Sequence, residues 1–511
     1  MKEEMLKLVR ERGLLLEKGL FEILDSFDSL DIAEEFLESL EKASGNKIIT
    51  ISNLSKNLQF VKERVEDLPG ETKRAVERLF VNIGLSLEIK REIEVKNKEE
   101  RKVNYKIFYS DDNGGRKIEV KDFVGHFRAR YHELQRILMQ RPDLTNLISI
   151  NKLGMNRQSL NLIGIVSEKR ITKNKNLIIK FEDLTGEISA LVKPDSECFQ
   201  KAQELQLDDV VAIKASGNKD LIFIYDIFWP DSFLTEKTKF DEEICIAFVS
   251  DVHAGSKKHL GKEFQKFIDW LKSDNELAKK IDYIFFVGDN IDGVGVFPGQ
   301  EKVLDLKSTK EQYQLLASYL TQIPEKITMF MCPGQHDAVR VPEPQPIIGK
   351  DYGSVLHEID NLILVSNPSM IKLIEGNKEF KVFMYHGASI HSLINEIEEL
   401  RLMKAHNCPA KAVKHMLKRR HLAPTHSSVV YVPNGEYDPL VIKEVPDVFC
   451  TGEVHRLDID NYNGVLIITG SCWQSQTDFE EKVGNIPDPC KVPVLNLKTR
   501  ELKILDFGEK E

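Results

Sequence analysis

Ile244-Cys245-Ile246-Ala247-Phe248-Val249-Ser250 runs straight into Asp251-Val252-His253-Ala254-Gly255. An almost wholly apolar run of strand length with no polar face is the pattern of a parallel strand buried on both sides. The break that follows delivers an Asp and a His. The same change recurs downstream. Ile281 to Val287 breaks into Gly288-Asp289-Asn290-Ile291-Asp292, and Ile327 to Cys332 breaks into Pro333-Gly334-Gln335-His336-Asp337. Val382-Phe383-Met384-Tyr385 breaks into His386-Gly387, and Val448-Phe449-Cys450-Thr451 into Gly452-Glu453-Val454-His455. Strands that each end in ligand-type side chains predict an α/β sheet with its site at the carboxyl ends of the strands. One Asp-x-His alone reads as an ordinary capped loop. Five such loops in order read as a ligand set.

Composition bounds the rest. The 511 residues leave room for about three domains. Hydrophobic residues at 41% and charged residues at 30% describe a soluble globular chain. No apolar run approaches the roughly 20 residues that cross a bilayer, and the acidic start Met1-Lys2-Glu3-Glu4 is no secretory signal. The seven cysteines form no Cys-x-x-Cys pair, and several lie in apolar strands, which predicts a reducing, cytoplasmic setting without disulfides or a membrane partner. A net charge of −10 excludes a protein that coats nucleic acid by bulk electrostatics, so any DNA contact is local. Eleven of the thirteen histidines fall between His253 and His455, placing the chemistry in the C-terminal half.

Four regions follow along the chain. Residues 1–75 read as a helical module, from the spacing of Leu6, Val9, Leu14, Leu15, Leu20, Ile23 and Leu24 and a second helix over Ile32–Leu40. Residues 76–150 read as a linker. It carries a hairpin of Arg101–Tyr109 with Arg116–Val120 around Asp111–Gly115, then an amphipathic helix over Phe123–Met139 whose arginines face solvent. Residues 151–235 give three strands, a short helix and two strands, the layout of an OB-fold barrel. Its last strand, Leu221–Phe228, is apolar on nearly both faces, which favours docking against another domain over stacking bases. Residues 243–511 alternate strand, loop and helix, predicting a mixed sheet or two stacked sheets covered by helices such as Lys262–Leu271 and Lys310–Leu320. A basic stretch, Lys404, Lys411, Lys414, His415, Lys418, Arg419, Arg420 and His421, reads either as a solvated helix face or as a contact for a DNA backbone or a partner.

Hard carboxylates mixed with imidazoles suit divalent ions, manganese first, with magnesium, iron or zinc as alternatives. Two such ions bridged by a carboxylate, roughly 3.5–4 Å apart, activate water and clamp both oxygens of a phosphoryl transfer. The order Asp-x-His, Gly-Asp, Gly-Gln-His-Asp, His-Gly, Gly-Glu-x-His resembles the calcineurin-like metallophosphoesterases. That resemblance implies a two-sheet phosphodiesterase domain flanked by helices. It implies that Asp251, His253 and His455 hold a first metal, that Asp289 bridges, and that Gln335, His386 and Glu453 face a second. It further implies that His336 acts on the phosphoryl group, with Asp337 orienting it. Gln335 stands where that family has Asn and Glu453 where it has His. Both can still ligate, and both departures fall on the second metal.

Stretches around these loops, among them Val296–Glu301, Cys332–Arg340, Arg420–Pro424 and Gly470–Thr477, are similar to the small-subunit family of archaeal family D DNA polymerases, related to the B-subunits of eukaryotic replicative polymerases. What this resemblance implies is an accessory subunit carrying a 3′→5′ proofreading exonuclease that acts on single-stranded or mismatched DNA 3′ ends. Its implied partners are a large catalytic subunit and a sliding clamp. Two alternatives stand beside it: a catalytically silent scaffold of the same polymerase, and a free-standing metallophosphatase.

Overall fold

The computed structural model describes residues 104–109 and 117–509, together with scattered positions between 7 and 49. The chain divides into two compact units, Met1–Glu94 and Val95–Glu511. In the first, Leu15–Leu16 pairs in parallel with Ile48–Ile49, and Val9, Leu14 and Leu37 are buried. Leu15 and Leu16 are therefore extended, and the helix expected to run through them stops before them. Most of the helical module expected over residues 1–75 lies outside the described residues.

The second unit contains a closed barrel and a two-sheet sandwich. Its elements, in chain order, begin with strand β1 (Asn104–Tyr109) and helix α1 (Val120–Met139). The barrel follows: β2 (Gln158–Ile171), β3 (Leu177–Asp183), β4 (Gly186–Val192), helix α2 (Phe199–Glu204), β5 (Val210–Gly217) and β6 (Ile222–Phe228). It closes in the order β2-β3-β4-β6-β5, with β4 and β6 parallel and the other pairs antiparallel. Ile222, Ile224 and Ile227 of β6 fill the barrel interior, so the last strand gives the docking expected of it only through Phe228, at its end. Docking falls mainly to β2 and β5, where Ile163, Ile165, Val210 and Ala212 pack against Tyr131, Leu134 and Leu138 of α1.

The sandwich has two six-stranded sheets. The first uses β7 (Cys245–Val249), β8 (Ile281–Val287), β9 (Thr328–Cys332), β10 (Leu362–Leu364), β16 (Lys491–Asn496) and β17 (Leu502–Asp506) in the order β10-β9-β8-β7-β16-β17. The second uses β11 (Ser369–Glu375), β12 (Lys378–Met384), β13 (Val448–Thr451), β14 (Asp458–Tyr462) and β15 (Val465–Thr469) in the order β14-β15-β13-β12-β11-β1. The apolar strands alternate between two buried faces. Tyr283, Phe285 and Val287 of β8 point between the sheets, against Val382 and Met384 of β12. Ile284 and Phe286 point outward under helices α3 (Gly261–Leu271) and α4 (Thr309–Leu320). The second sheet is capped in the same way by α5 (Ile390–Glu396) and α6 (Ala410–Arg419). Both faces being covered is why these runs show no polar alternation.

The structure corrects three further expectations. β1 does not form a hairpin with Lys117–Val120, the described part of the strand expected over Arg116–Val120. It pairs antiparallel with β11 at a sheet edge, while Lys117–Glu119 are irregular and Val120 begins α1. The arginines of α1 do not all face solvent: Arg130 is 2% exposed and donates through Nε to Asp438 Oδ2 at 2.7 Å and through Nη1 to the Pro424 carbonyl at 2.8 Å. His421 and His126 reach the same Asp438 oxygen at 2.8 and 3.3 Å. The basic stretch around α6 is largely spent inside the molecule. Lys411 and Lys414 pair with Asp460, Lys418 with Glu204, and Arg419 Nε with the buried Asp209 at 2.8 Å. Lys418 and Arg419 thereby tie the sandwich to the barrel, because a basic helix lying beside acidic barrel residues satisfies both sets of charges.

Burial and the neighbouring Arg130 hold the His421 imidazole down at about 4, against an ordinary value of 6.5. A histidine held neutral in the fold takes up protons more readily once unfolded, so its contribution is full above 6.5 and fades as pH falls toward about 4. The difference in unfolding midpoint between the wild-type chain and His421→Gln is therefore expected to shrink across that window. A difference that stays constant with pH would contradict the buried neutral histidine.

Candidate metal centre

The loops that leave β7, β8, β9, β12 and β13 meet at one rim of the sandwich, where the carboxyl ends of parallel strands from both sheets converge. Their backbones turn sharply. Asp251, His253, Asp289, Glu453 and His455 all adopt positive φ, between 46° and 75°. Non-glycine residues take this conformation at a cost of about 1–2 kcal/mol each, and it aims five side chains inward from three short loops. Glycines supply the clearance: a Cβ at Gly334 would lie 2.2 Å from Asp289 Oδ1, and one at Gly452 2.5 Å from Asp251 Oδ2.

Three overlapping groupings result. Asp251, His253 and His455 bring one ligand atom each within 4.8 Å of one another, and so do Asp251, Asp289 and His386. His253, Asp289 and His336 form a third overlapping set. Asp289 lies in two of the three. Its Oδ1 accepts from the His336 amide at 2.9 Å, while its Oδ2 stands 3.2 Å from His386 Nε2 and 3.9 Å from both His253 Nε2 and His336 Nε2. Glu453 places Oε2 3.2 Å from His386 Nε2, and its amide donates to Asp251 Oδ1 at 3.1 Å.

The imidazoles share one orientation. His253 Nδ1 faces Asp292 Oδ1 at 3.0 Å, and His455 Nδ1 faces Glu480 Oε1 at 3.0 Å. His386 Nδ1 faces the Val287 carbonyl at 2.9 Å and His336 Nδ1 the Asp292 carbonyl at 2.6 Å. Each partner is an oxygen that only accepts, so each Nδ1 donates and each Nε2 is turned to the centre, where it can offer a lone pair to a cation or carry a second proton. His253 Nε2 and His455 Nε2 then confront one another at 3.0 Å. Two facing lone pairs repel unless a cation or a proton stands with them. Asp251 Oδ2, Gln335 Oε1 and His386 Nε2 are buried here without a hydrogen-bond partner, a cost that proteins rarely carry without a ligand.

The electrostatics follow the same pattern. Burial pushes the Asp289 carboxyl up, but the imidazoles of His386, His336 and His253 outweigh it and hold it well below the usual carboxylate range. Burial lowers His386, and Asp289 and Glu453 overcome that and raise it well above 6.5. The centre is thus built to hold positive charge among carboxylates.

All seven expected metal residues and His336 come to this rim. Asp337 does not approach the His336 ring. Its Oδ2 accepts from the Gly334 amide and from the amide and side chain of Asn290, and its Oδ1 accepts from Tyr313 at 3.1 Å, which pins two ligand loops together. Sequence reasoning assigned nothing to Asp292 and Glu480, which orient His253 and His455. For Asp292 a signal existed, since it closes Gly288-Asp289-Asn290-Ile291-Asp292. Glu480 gave none, lying on a separate helix, α7 (Asp478–Val483), with Thr477 as its reciprocal cap.

Residues 246–457 match the family of B-subunits of DNA polymerases alpha and epsilon. The DNA polymerase II small subunit of Pyrococcus abyssi is 36% identical over 403 residues, 76% of this chain and 64% of that protein. The Pyrococcus horikoshii small subunit is 32% identical over 511 residues, 97% of this chain and 80% of that protein. That of Methanothermobacter thermautotrophicus is 30% identical over 516 residues, 99% of this chain and 100% of that protein. The chain spans 64% of the length of the Pyrococcus abyssi relative.

Proposed function

Because this chain belongs to the family of archaeal DNA polymerase II small subunits, we propose that it is the accessory subunit of such a polymerase and hydrolyses phosphodiesters at DNA 3′ ends. The observation that carries the hydrolytic reading is the inward convergence of imidazole Nε2 atoms with the unpartnered Asp251 Oδ2, Gln335 Oε1 and His386 Nε2. We read the barrel as an OB-fold over residues 151–235 and the sandwich as a calcineurin-like phosphoesterase domain over 243–511, with β1 and α1 from the segment before the barrel built into both. The partners on this reading are a large catalytic subunit, single-stranded or mismatched 3′ ends, and a sliding clamp.

The donor set fits two divalent cations, manganese first, with magnesium, iron or zinc as alternatives. Asp251, His253 and His455 would hold one, Gln335, His386 and Glu453 the other, with Asp289 between them. Bound there, the cations would lower the pKa of water and offset the charge of the phosphoryl group. The chain's own residues do the rest. Asp292 and Glu480 hold His253 and His455 in the tautomer that leaves Nε2 free. His336, fixed at Nδ1 by the Asp292 carbonyl and one-fifth exposed, presents Nε2 toward the solvent side of the centre. When it is protonated there as well, it would give that proton to the departing 3′ oxygen as the bond from phosphorus to that oxygen breaks and the water oxygen bonds to phosphorus, the proton lost by the water passing to solvent.

The test is cleavage of end-labelled DNA with a mismatched 3′ end in the presence of manganese. Shortening by single nucleotides is expected. A chain that binds no ion and cleaves nothing at any manganese concentration would instead be a scaffold. His336→Ala is expected to reduce turnover by about 10²–10⁴-fold, the usual yield of a positioned acid, while retaining both ions. Loss of an ion in that variant would move His336 from acid to ligand.

A further inference from the structure

Glu453 is the most exposed to rearrangement of the carboxylates in the centre. Its side chain is 15% accessible and has one more rotatable bond than an aspartate, so nothing in its own geometry keeps the carboxylate turned inward. One oxygen, Oε2, faces His386 Nε2 at 3.2 Å. The other, Oε1, faces outward, and there the ring of His391 stands with Nε2 3.6 Å away. His391 is the second residue of α5, whose first turn is brought close to Glu453 by the His386-Gly387 loop. The approach at Gly387, φ 125°, is tight enough that a Cβ would lie 2.8 Å from Ile390 Cδ1 and 3.2 Å from Glu453 Cβ. Behind His391, its Nδ1 meets His406 Nε2 at 3.2 Å, from the short turn Ala405–Asn407.

We infer that His391 is a positioning residue of the second cation site, holding Glu453 by its outer oxygen so that the inner one stays aimed at His386. This inference rests on the two-cation reading above and adds to it a residue that lies outside the five ligand loops. The chemistry is that of any imidazole set behind a ligating carboxylate. A ligand whose free oxygen is held loses less freedom when the ion arrives, and such supporting contacts typically contribute 10–100-fold in metal affinity. Here the supported ligand is a carboxylate and the support an imidazole. His406 Nε2, at hydrogen-bond distance from His391 Nδ1, limits how the His391 ring can turn and so keeps its Nε2 edge toward Glu453.

Because the His391 side chain is 43% exposed, truncating it removes little packing, and the fold is expected to survive. The experiment is manganese binding to the purified full-length chain, followed by calorimetry and by the magnetic coupling that two adjacent manganese ions show in electron paramagnetic resonance. Wild type is expected to hold two ions and show the coupled signal. His391→Ala is expected to weaken the second ion about 10–100-fold, to lose the coupled signal at stoichiometric manganese, and to leave the first ion unchanged. His391→Gln, which returns a donor toward Glu453, is expected to recover part of both. Unchanged second-site affinity and an unchanged coupled signal in His391→Ala would overturn the role of His391 while leaving the two-cation reading standing. A wild-type chain that holds one ion would overturn that reading, and this inference with it.

Discussion

Asp289→Asn is expected to lower metal-dependent cleavage by at least about 10³-fold, the upper end of what one preorganised electrostatic contact contributes. Asparagine keeps the shape of the side chain, and its oxygen can still accept from the His336 amide, which Asp289 Oδ1 does now at 2.9 Å. What changes is the inner atom. Oδ2, 3.2 Å from His386 Nε2, becomes an amide that carries no charge and points hydrogens at the place where the cations would sit. Asparagine is also at home at positive φ, so the φ of 46° at this position is no obstacle to folding. Cleavage rate, bound metal and unfolding midpoint measured on the same preparation separate these effects. Cleavage equal to wild type would remove Asp289 from the centre.

Arg130→Ala is expected to destabilise the second unit by about 3–5 kcal/mol, the range for breaking a buried ion pair by deleting one partner. Asp438 is wholly buried, and burial alone would push its carboxyl up. Arg130 first, then His421 and His126, hold it well below the usual range instead. Without the guanidinium the carboxylate keeps only imidazoles, and the Pro424 carbonyl loses its donor. Urea unfolding of the two forms measures the effect. A cost below about 1 kcal/mol, typical of solvent-exposed pairs, would mean that water reaches Asp438 and that α1 is not anchored there.

The strands and loops of the sandwich were legible because each strand is buried on both faces. Such runs leave an uninterrupted apolar signature, and their polar ends stand out against it. What was not legible depended on partners distant in sequence. β1 carries no mark of which strand it joins, and it joins one some 260 residues later rather than its neighbour. Arg130 and the cluster from Lys411 to Arg419 look like solvated charge in sequence, since nothing local announces Asp438, Asp209 or Glu204. In the centre, residue types pointed to the side chains that converge there, whereas the oxygens behind the imidazoles lie on other elements, as with Glu480, or are backbone carbonyls, as behind His386 and His336. A carbonyl is present at every residue and so leaves no trace in a sequence.

The left-handed backbone at Asp251, His253, Asp289, Glu453 and His455 also bears on how such a protein drifts over generations. Few residues tolerate that conformation: glycine, asparagine, aspartate and, less readily, histidine. β-branched replacements are barred by the backbone before chemistry is consulted. The replacements most open to a lineage under no pressure to keep the centre therefore preserve the bends of the loops and surrender the charge, aspartate to asparagine above all. Such a descendant would keep its outline, since the bends belong to the backbone and not to the charge. In this architecture the form outlives the reaction, and a silent descendant would be told apart from a working one by a handful of oxygen and nitrogen atoms rather than by its fold.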